Sequence, residues 1–479
     1  MLAALALPAL ARGSLTRMRA ASRCCPPSAD TRVAGPRVLA DVSEPPLVCN
    51  ALPRCCGLQT SCTCHTSPRC HTSCTTLLCV DLGAFEPQAP GRLVRITGTD
   101  PSHGPWEHAA FVPDPLPRTS PDLSARTYRA VADARAALAA LDSTARRLPN
   151  PRIFRRPALQ AEAQSTSALE GTYAPLIEVL TADEERPPNL DLREVLNYVR
   201  MGDTAFGLIE SGQQLTVSML EQLQGILMRG TRSEGGNSGA LRDHQVVVGQ
   251  REGAHPTAPR IHSARFVPSP PGLDLRASLQ DLLDWMVDAE IAHEIDPVVA
   301  AALAHYQFET LHPFHDGNGR IGRFIIVVHL LGQQVLLEPT LTVSPWFEAR
   351  RSEYYDQLLA VSTRGDWDSY IRFFATGLGS SADTTHERML ALVEVQKSFK
   401  ERIRRSTLRA DTAHTLADYA IANTTFTVRA VESYLSISYG RANSLVNQLV
   451  QLGILAPLDS VGALNRRFYA PEVLDVVIG

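Results

Sequence analysis

His312-Pro313-Phe314-His315-Asp316-Gly317-Asn318-Gly319-Arg320-Ile321-Gly322-Arg323 is the stretch on which the reading of this chain turns. The segment before it, Pro297 to Leu311, has no breaker after its first residue. It reads as a helix ending near His312, because Pro313 disfavours α geometry at the residue before it. Ile321 to Leu331 is apolar, so a second helix starts near the glycines. Gly317 and Gly319 permit a tight turn with bare backbone N–H groups. Those groups and the positive end of the second helix form an anion site, to which Asn318 can add a side-chain donor. Asp316 beside them suits Mg²⁺, which takes one or two carboxylates together with substrate phosphates. Arg320 and Arg323 are three residues apart, share a helix face and can both reach phosphate oxygens. His312 is the nearby group whose ordinary pKa suits a general base at neutral pH. The set fits transfer of a nucleotide phosphate.

Other readings of the same residues are weaker. Gly317-x-Gly319-x-x-Gly322, with Glu338 downstream, fits a dinucleotide-binding pattern, but that pattern follows a strand and here a helical stretch precedes it. A Walker A loop needs a Lys after the glycines, and the only lysines are Lys397 and Lys400. Glu309-x-x-His312 is half of a di-iron carboxylate pattern without a second half. His305 and His315 read as structural residues, and Phe314 as a core anchor.

Further stretches belong with the first. Leu241 to Gly249, containing Val246 and Val247, reads as a strand, and Arg265-Phe266-Val267-Pro268-Ser269-Pro270-Pro271 follows it. Tyr354-Tyr355 precedes Gly365-Asp366-Trp367. Thr166-Ser167-Ala168-Leu169-Glu170-Gly171 fits [ST]-x-x-x-E-[GN], although Ser167-x-x-Glu170 also fits a helix-starting capping box.

With these motifs in place, the chain resembles the Fic (Fido) family over roughly residues 105 to 475. The opening stretch fills every fixed position of the family signature H-P-F-x-[DE]-G-N-G-R-x-x-R. The resemblance implies a mainly α, Fic-type helical core with a β-hairpin flap. It implies a protein adenylyltransferase that moves AMP from ATP to a Tyr, Thr or Ser hydroxyl of a target protein, with Mg²⁺ as cofactor and self-modification or a homodimer as further possibilities. His312 would be catalytic. Asp316, Gly317, Asn318, Gly319, Arg320, Ile321, Gly322, Arg323, Tyr354 and Tyr355 would bind nucleotide, with Asp316 on the metal. Ser362 stands near where some relatives have Asn at the base pocket. Val246 and Val247 would lie on the flap that pairs with an extended target segment. Glu170 would be inhibitory, its salt bridge taking Arg323 away from the γ-phosphate. Two alternatives accompany this reading: an enzyme that removes AMP, and a DNA-binding regulator with a nucleotide-sensing Fic fold.

Bulk properties agree with an enzyme acting on a small anionic substrate. Lys and Arg number 46 against 50 Asp and Glu, and the net charge of −4 does not single out nucleic acid. The preference for Arg over Lys points to a GC-rich bacterial genome, while an ATP-dependent enzyme whose apolar start, Met1 to Leu10, lacks a charged n-region is expected in the cytoplasm. No apolar run reaches membrane-spanning length; Phe324 to Leu337 is short and contains His329. All ten Cys lie between Cys24 and Cys79. Residues 1–86 are therefore set apart as a Cys- and Pro-rich leader, disordered or artefactual, whose Cys and His spacings fit no standard zinc site. Residues 105–200 are assigned to an N-terminal helical region with the inhibitory helix, 216–378 to the catalytic domain, and 380–479 to a small winged helix-turn-helix-like domain. In that last part, Val428 to Leu435 and the helix carrying Ala442, Leu445, Val446, Leu449 and Leu452 on one face precede a wing from Leu455 to Tyr469, with Asn465-Arg466-Arg467 near its tip. Residues 381–479 carry 11 Arg or Lys and 10 Asp or Glu, which favours target recruitment or a structural role over DNA contact.

Overall fold

The computed structural model describes residues 82–147, 150–255, 257–408, 411–459 and 466–479. The Cys-rich leader up to residue 81, every Cys included, lies outside the described residues, as does Asn465 of the expected wing tip.

The first regular element is a hairpin the sequence reading did not contain. Strand β1 (Gly91–Asp100) pairs antiparallel with β2 (Gly104–Pro113), from Gly91↔Pro113 to Asp100↔Gly104. Asp100 closes the turn by accepting the Ser102 and His103 N–H groups.

Helix α1 (Ala125–Arg147) buries Val131, Ala134, Leu138, Leu141 and Ala145, spaced three and four apart as an amphipathic helix requires. Helix α2 (Arg155–Leu169) is buried along most of its length and is followed by the short α3 (Leu176–Thr181). Helices α4 (Leu190–Glu210) and α5 (Val217–Met228) start at Asn189 and Thr216, whose side chains accept from Leu192 and Met219 N–H.

The flap is shorter than expected and shifted along the chain. Strand β3 (Val248–Gln250) precedes the single-turn α6 (Arg260–Ser263), and β4 (Ala264–Phe266) pairs with β3 through Val248↔Phe266 and Gln250↔Ala264. Val246 and Val247 lie just before β3. Side chains hold this approach in place of a ladder: buried Arg242 donates to the carbonyls of Leu311, His312 and Ser269, and Gln245 donates to that of Pro268.

Helices α7 (Leu273–Val287) and α8 (Ala289–Glu294) lead to the central pair, α9 (Pro297–Leu311) and α10 (Asn318–Gly332). Asp296 caps α9, with Pro297 at its first position. Both helices of the pair are buried nearly all round, so the stretch from His312 to Gly317 joins two core helices. Helix α11 (Ser344–Glu348) is capped from afar, its first N–H groups bonding to the buried Glu162 carboxylate of α2. Helix α12 (Arg351–Arg364) follows.

Helix α13 (Trp367–Arg405) is continuous through residue 380, where a domain boundary was expected. Its Gly379 lets α1 approach closely: a Cβ there would stand 3.3 Å from the Cα of Ala134. Beyond it come α14 (Asp411–Ala422), β5 (Phe426–Thr427), α15 (Val428–Leu435), α16 (Tyr439–Gln451), β6 (Ala456–Pro457), β7 (Arg467–Tyr469) and α17 (Pro471–Ile478). The strands form a sheet in the order β5-β7-β6. Helix α15 spans the expected residues, and the expected face of α16 is buried. This part does not stand apart. One apolar cluster runs from Val131 to Val477. Thr424 donates to Gln160 on α2 and to the Leu180 carbonyl of α3, and Arg467 donates to the Thr181 carbonyl.

Candidate active site

The loop between α9 and α10 holds most of the residues expected at the site. His312 ends α9 in the left-handed region, with φ of 51°, while its N–H still bonds to the Phe308 carbonyl. Its ring Nδ1 lies 3.3 Å from the Glu309 carbonyl, so Nδ1 carries the proton and Nε2 is left as the acceptor. Burial, with the nearby Arg242 charge, lowers its pKa to about 4. The ring is therefore neutral at pH 7, as a base must be.

Gly317 begins α10 with φ of 86°, and its N–H bonds to the Asp316 carboxylate. The N–H groups of Asn318, Gly319 and Arg320 open the helix, and the first one returned to its ladder is that of Ile321, to Gly317. Asn318 does not face the anion site: its amide brackets the backbone of Phe314, accepting from N–H and donating to C=O at 2.8 Å each. Arg320 also departs from expectation. It is 1% exposed and bonds to Glu194 at 2.5 Å and Asp316 at 3.1 Å, turned away from the cavity that Arg323 lines. At three residues apart the two arginines still diverge, because Glu194 of α4 offers Arg320 a buried partner. Ile321 is core, and Gly322 lies against Glu309, whose carboxyl a Cβ would overlap.

A cavity of about 270 Å³ is lined by His312, Gly319, Arg323, Glu170, Glu309, Tyr355 and the flap residues Val248 and Gly249, among others. Arg323 donates to Thr166 Oγ1 at 2.8 Å, to the Thr166 carbonyl and to Glu170 Oε1 at 2.7 Å. Burial works most strongly against the Arg323 charge, but Glu170 together with Tyr354, Glu309 and Tyr355 offsets it, and the pKa stands above the ordinary value. Glu170 is the C-terminal cap of α2, so the reading of Ser167-x-x-Glu170 as a helix-starting capping box is overturned. Gly319 makes room for the pair, since a Cβ there would overlap Glu170 Oε1. Tyr355 lines the cavity, and its hydroxyl donates to the Leu169 carbonyl. Tyr354, expected beside it on the nucleotide, is buried behind and bonds to His305 Nε2 at 2.8 Å; consecutive helical residues point about 100° apart.

Several lining residues escaped the sequence reading. Arg351, Leu358 and Leu359 come from α12 with no spacing that links them, while Val248, Gly249, Arg265 and Phe266 of β3 and β4 lie in stretches read as flap and its sequel but were not named as cavity residues. Ser362 lines the cavity but bonds to the Tyr306 hydroxyl at 2.9 Å. Burial pushes the Glu309 carboxyl up to about 8, with Arg323 opposing, and its Oε1 has no partner among the described residues. Asp316 faces a second, wider cleft with Gln224, Asn237, Val246, Val247 and His315. It is 40% exposed, with one oxygen held by Gly317 and Arg320. A lone, partly held carboxylate beside an anion turn fits Mg²⁺ that also binds phosphate.

Sequence models of the Fic/DOC family match this chain twice: the family N-terminal region over residues 128–207 and the Fic/DOC domain over 214–330. The chain carries a Fic/DOC domain at residues 214–330, preceded by the family N-terminal region. The two matches span both α2, with Glu170, and the Fic loop from His312 to Arg323. Protein adenylyltransferase fic-1 of Caenorhabditis elegans is 32% identical over 140 residues, 28% of this chain and 25% of that protein. Protein adenylyltransferase Fic of Drosophila willistoni is 33% identical over 140 residues, covering 28% and 26%. The chain thus spans about a quarter of the length of these curated relatives. Being metazoan, they argue against the bacterial source read from Arg usage. Among solved structures, a Fic family protein of Desulfovibrio desulfuricans aligns with a TM-score of 0.44 at 20% identity, over 74% of this chain and 98% of that one. Fic-1 of C. elegans aligns at 0.38 and 20%, over 56% and 72%. No described helix is long and apolar enough to cross a membrane.

Proposed function

We propose that the protein is an autoinhibited adenylyltransferase, moving AMP from ATP to a hydroxyl of a target protein. The observation that carries this is His312, neutral and with Nε2 open, in one cavity with Arg323 and the start of α10. The target hydroxyl gives its proton to His312 Nε2 as its oxygen attacks the α-phosphorus. The bond from that phosphorus to the β-bridging oxygen breaks, and pyrophosphate leaves. Backbone N–H groups at Gly319 and its neighbours meet the charge that develops, and most of the catalysis is positioning and electrostatics. Arg323 holds the γ-phosphate once Glu170 has left it. Asp316 would hold Mg²⁺, which when bound neutralises charge on the α- and β-phosphates. β3 and the approach through Val246 and Val247 receive the target. Dependence on ATP is the reason we place the protein in the cytoplasm.

Incubation of the Glu170→Gly protein with labelled ATP and lysate, followed by identification of the labelled proteins, tests the proposal. Label should appear as AMP on hydroxyl side chains and vanish with Asp316→Ala, whose ATP affinity should also lose its dependence on Mg²⁺ in titration calorimetry. Label carried as phosphate, or labelling that Asp316→Ala leaves intact, would refute the assignment.

A further inference from the structure

A second group of ligating side chains lies beside the Fic loop, outside the nucleotide cavity. Asp243, His244 and His315 each bring one ligand atom within 4.8 Å of the others. One carboxylate oxygen sits at the centre: Asp243 Oδ1 is 2.8 Å from His244 Nδ1 and 3.2 Å from His315 Nε2. The two imidazoles stack, with centroids 4.0 Å apart, so their nitrogens converge on that oxygen from the same side. A fourth side chain arrives from another segment. The Asn237 amide end lies 3.0 Å from Asp243 Oδ1 and 3.3 Å from His315 Nε2. The two atoms of an amide end exchange places by a half-turn of the side chain. That half-turn exchanges the amide donor for an oxygen ligand, giving two nitrogens and two oxygens around one point. Neighbouring ligands of a four-coordinate ion with bonds of about 2.0–2.2 Å stand roughly 3.3 Å apart, and the present spacings are already near that value.

We propose that Asn237, Asp243, His244 and His315 form a binding site for a divalent transition-metal ion of the zinc, cobalt or nickel class. Two imidazoles select such an ion over Mg²⁺, which prefers oxygen and keeps several waters. The site differs from the carboxylate of Asp316, which offers no nitrogen donors. His315, read from the sequence as structural, becomes a ligand because the fold brings the flap approach beside it. The ion ties together three irregular segments: the connector after α5, the approach to β3, and the Fic loop. All three border the wide cleft that Asp316 also faces. His244 and Asp243 are 68% and 69% exposed, which leaves the site open to exchange with bulk metal and leaves coordination positions for water. A metal there would order the approach on which a target segment docks.

The test uses the full chain with its cysteines alkylated, because ten thiols in the leader would otherwise bind the same ions. Titration with Co²⁺ should give visible d–d absorption without the charge-transfer band of a thiolate site. Zn²⁺ should displace that signal, and excess Mg²⁺ should not. His244→Ala and Asp243→Asn should each bind one equivalent less than the unmodified chain, with unchanged circular dichroism in the absence of metal. Equal stoichiometry in all three proteins overturns the proposal, as does displacement by Mg²⁺. The readout is metal occupancy and does not depend on AMP transfer.

Discussion

In the proposed reaction His312 is a base because of what surrounds it. Replacing it by Ala should lower AMP transfer by roughly 100- to 10,000-fold while leaving ATP affinity near that of the unmodified protein, as read by labelling and calorimetry side by side. Near-normal labelling would remove it from the mechanism. Its pH behaviour follows from the sign of its shift. The folded pKa of about 4 lies below the ordinary 6.5, so as pH falls the unfolded chain takes up a proton first. Its contribution is complete above about pH 6.5 and is lost progressively toward pH 4. Buried His329, with a pKa also near 4, acts in the same direction. Transfer should therefore be flat from about pH 6 upward as far as this group is concerned, and a titration centred near 6.5 in the pH–rate profile would show that His312 is solvated during turnover.

Glu170 calls for a different forecast. Glu170→Gly frees Arg323 and should raise self-labelling by about 5- to 150-fold, the usual range for a coupling of this kind. Arg323 is 1% exposed and keeps only Thr166 as partner in that variant. The apo form should therefore lose about 1–3 kcal/mol, more than an exposed pair would cost. ATP should restore the melting temperature, since the γ-phosphate replaces the lost carboxylate. A destabilised variant with no gain in labelling would reduce Glu170 to a structural residue. The pairing of this carboxylate with Arg323 was expected from the family resemblance, because Thr166 to Gly171 alone also fits a capping box. The fates of Arg320 and Asn318 were not. Spacing put Arg320 on the face of Arg323, and only the arrival of Glu194 from α4 turned it away.

Among the elements, the central helices were the easiest to foresee and the strands the hardest. α9 and α10 follow from an unbroken apolar run on either side of a Pro and two Gly, all local signals. The β1–β2 hairpin is stabilised by cross-strand partners, and a short strand such as β3 exists only because β4 is beside it. Side-chain anchors such as Arg242 consume the approach that looked like strand, and periodicity cannot report them. Helix α2, with Glu170 at its end, has a bed of the same non-local kind. Thr424 reaches it from more than two hundred residues away through Gln160 and Leu180. Thr424→Val should remove those bonds at about 1 kcal/mol and raise basal self-labelling up to roughly fivefold. The same substitution should add nothing in the Glu170→Gly background, where the lock is already open. A lowered melting temperature with unchanged labelling in both backgrounds would make the contact structural only.

For the molecule as a whole, the C-terminal part faces inward with the residue that looked most like a DNA contact. Arg467 is bound to Asp459 and to the Thr181 carbonyl, and the region is close to neutral. Duplex DNA should show no salt-sensitive binding in fluorescence anisotropy at physiological ionic strength, whereas a steep fall of affinity with salt would restore the nucleic-acid reading. The pairing of α1 with α13 has a consequence for how the chain is made. A ribosome releases α1, then the inhibitory helix, then the Fic loop, and only afterward the long helix against which α1 packs. Synthesis that stops early therefore leaves the apolar stripe of α1 bare. Such a fragment already contains His312 and Arg323, yet it lacks the partner that would let it fold and is left to proteases. Premature termination should thus yield an unfolded fragment instead of a shortened, working one.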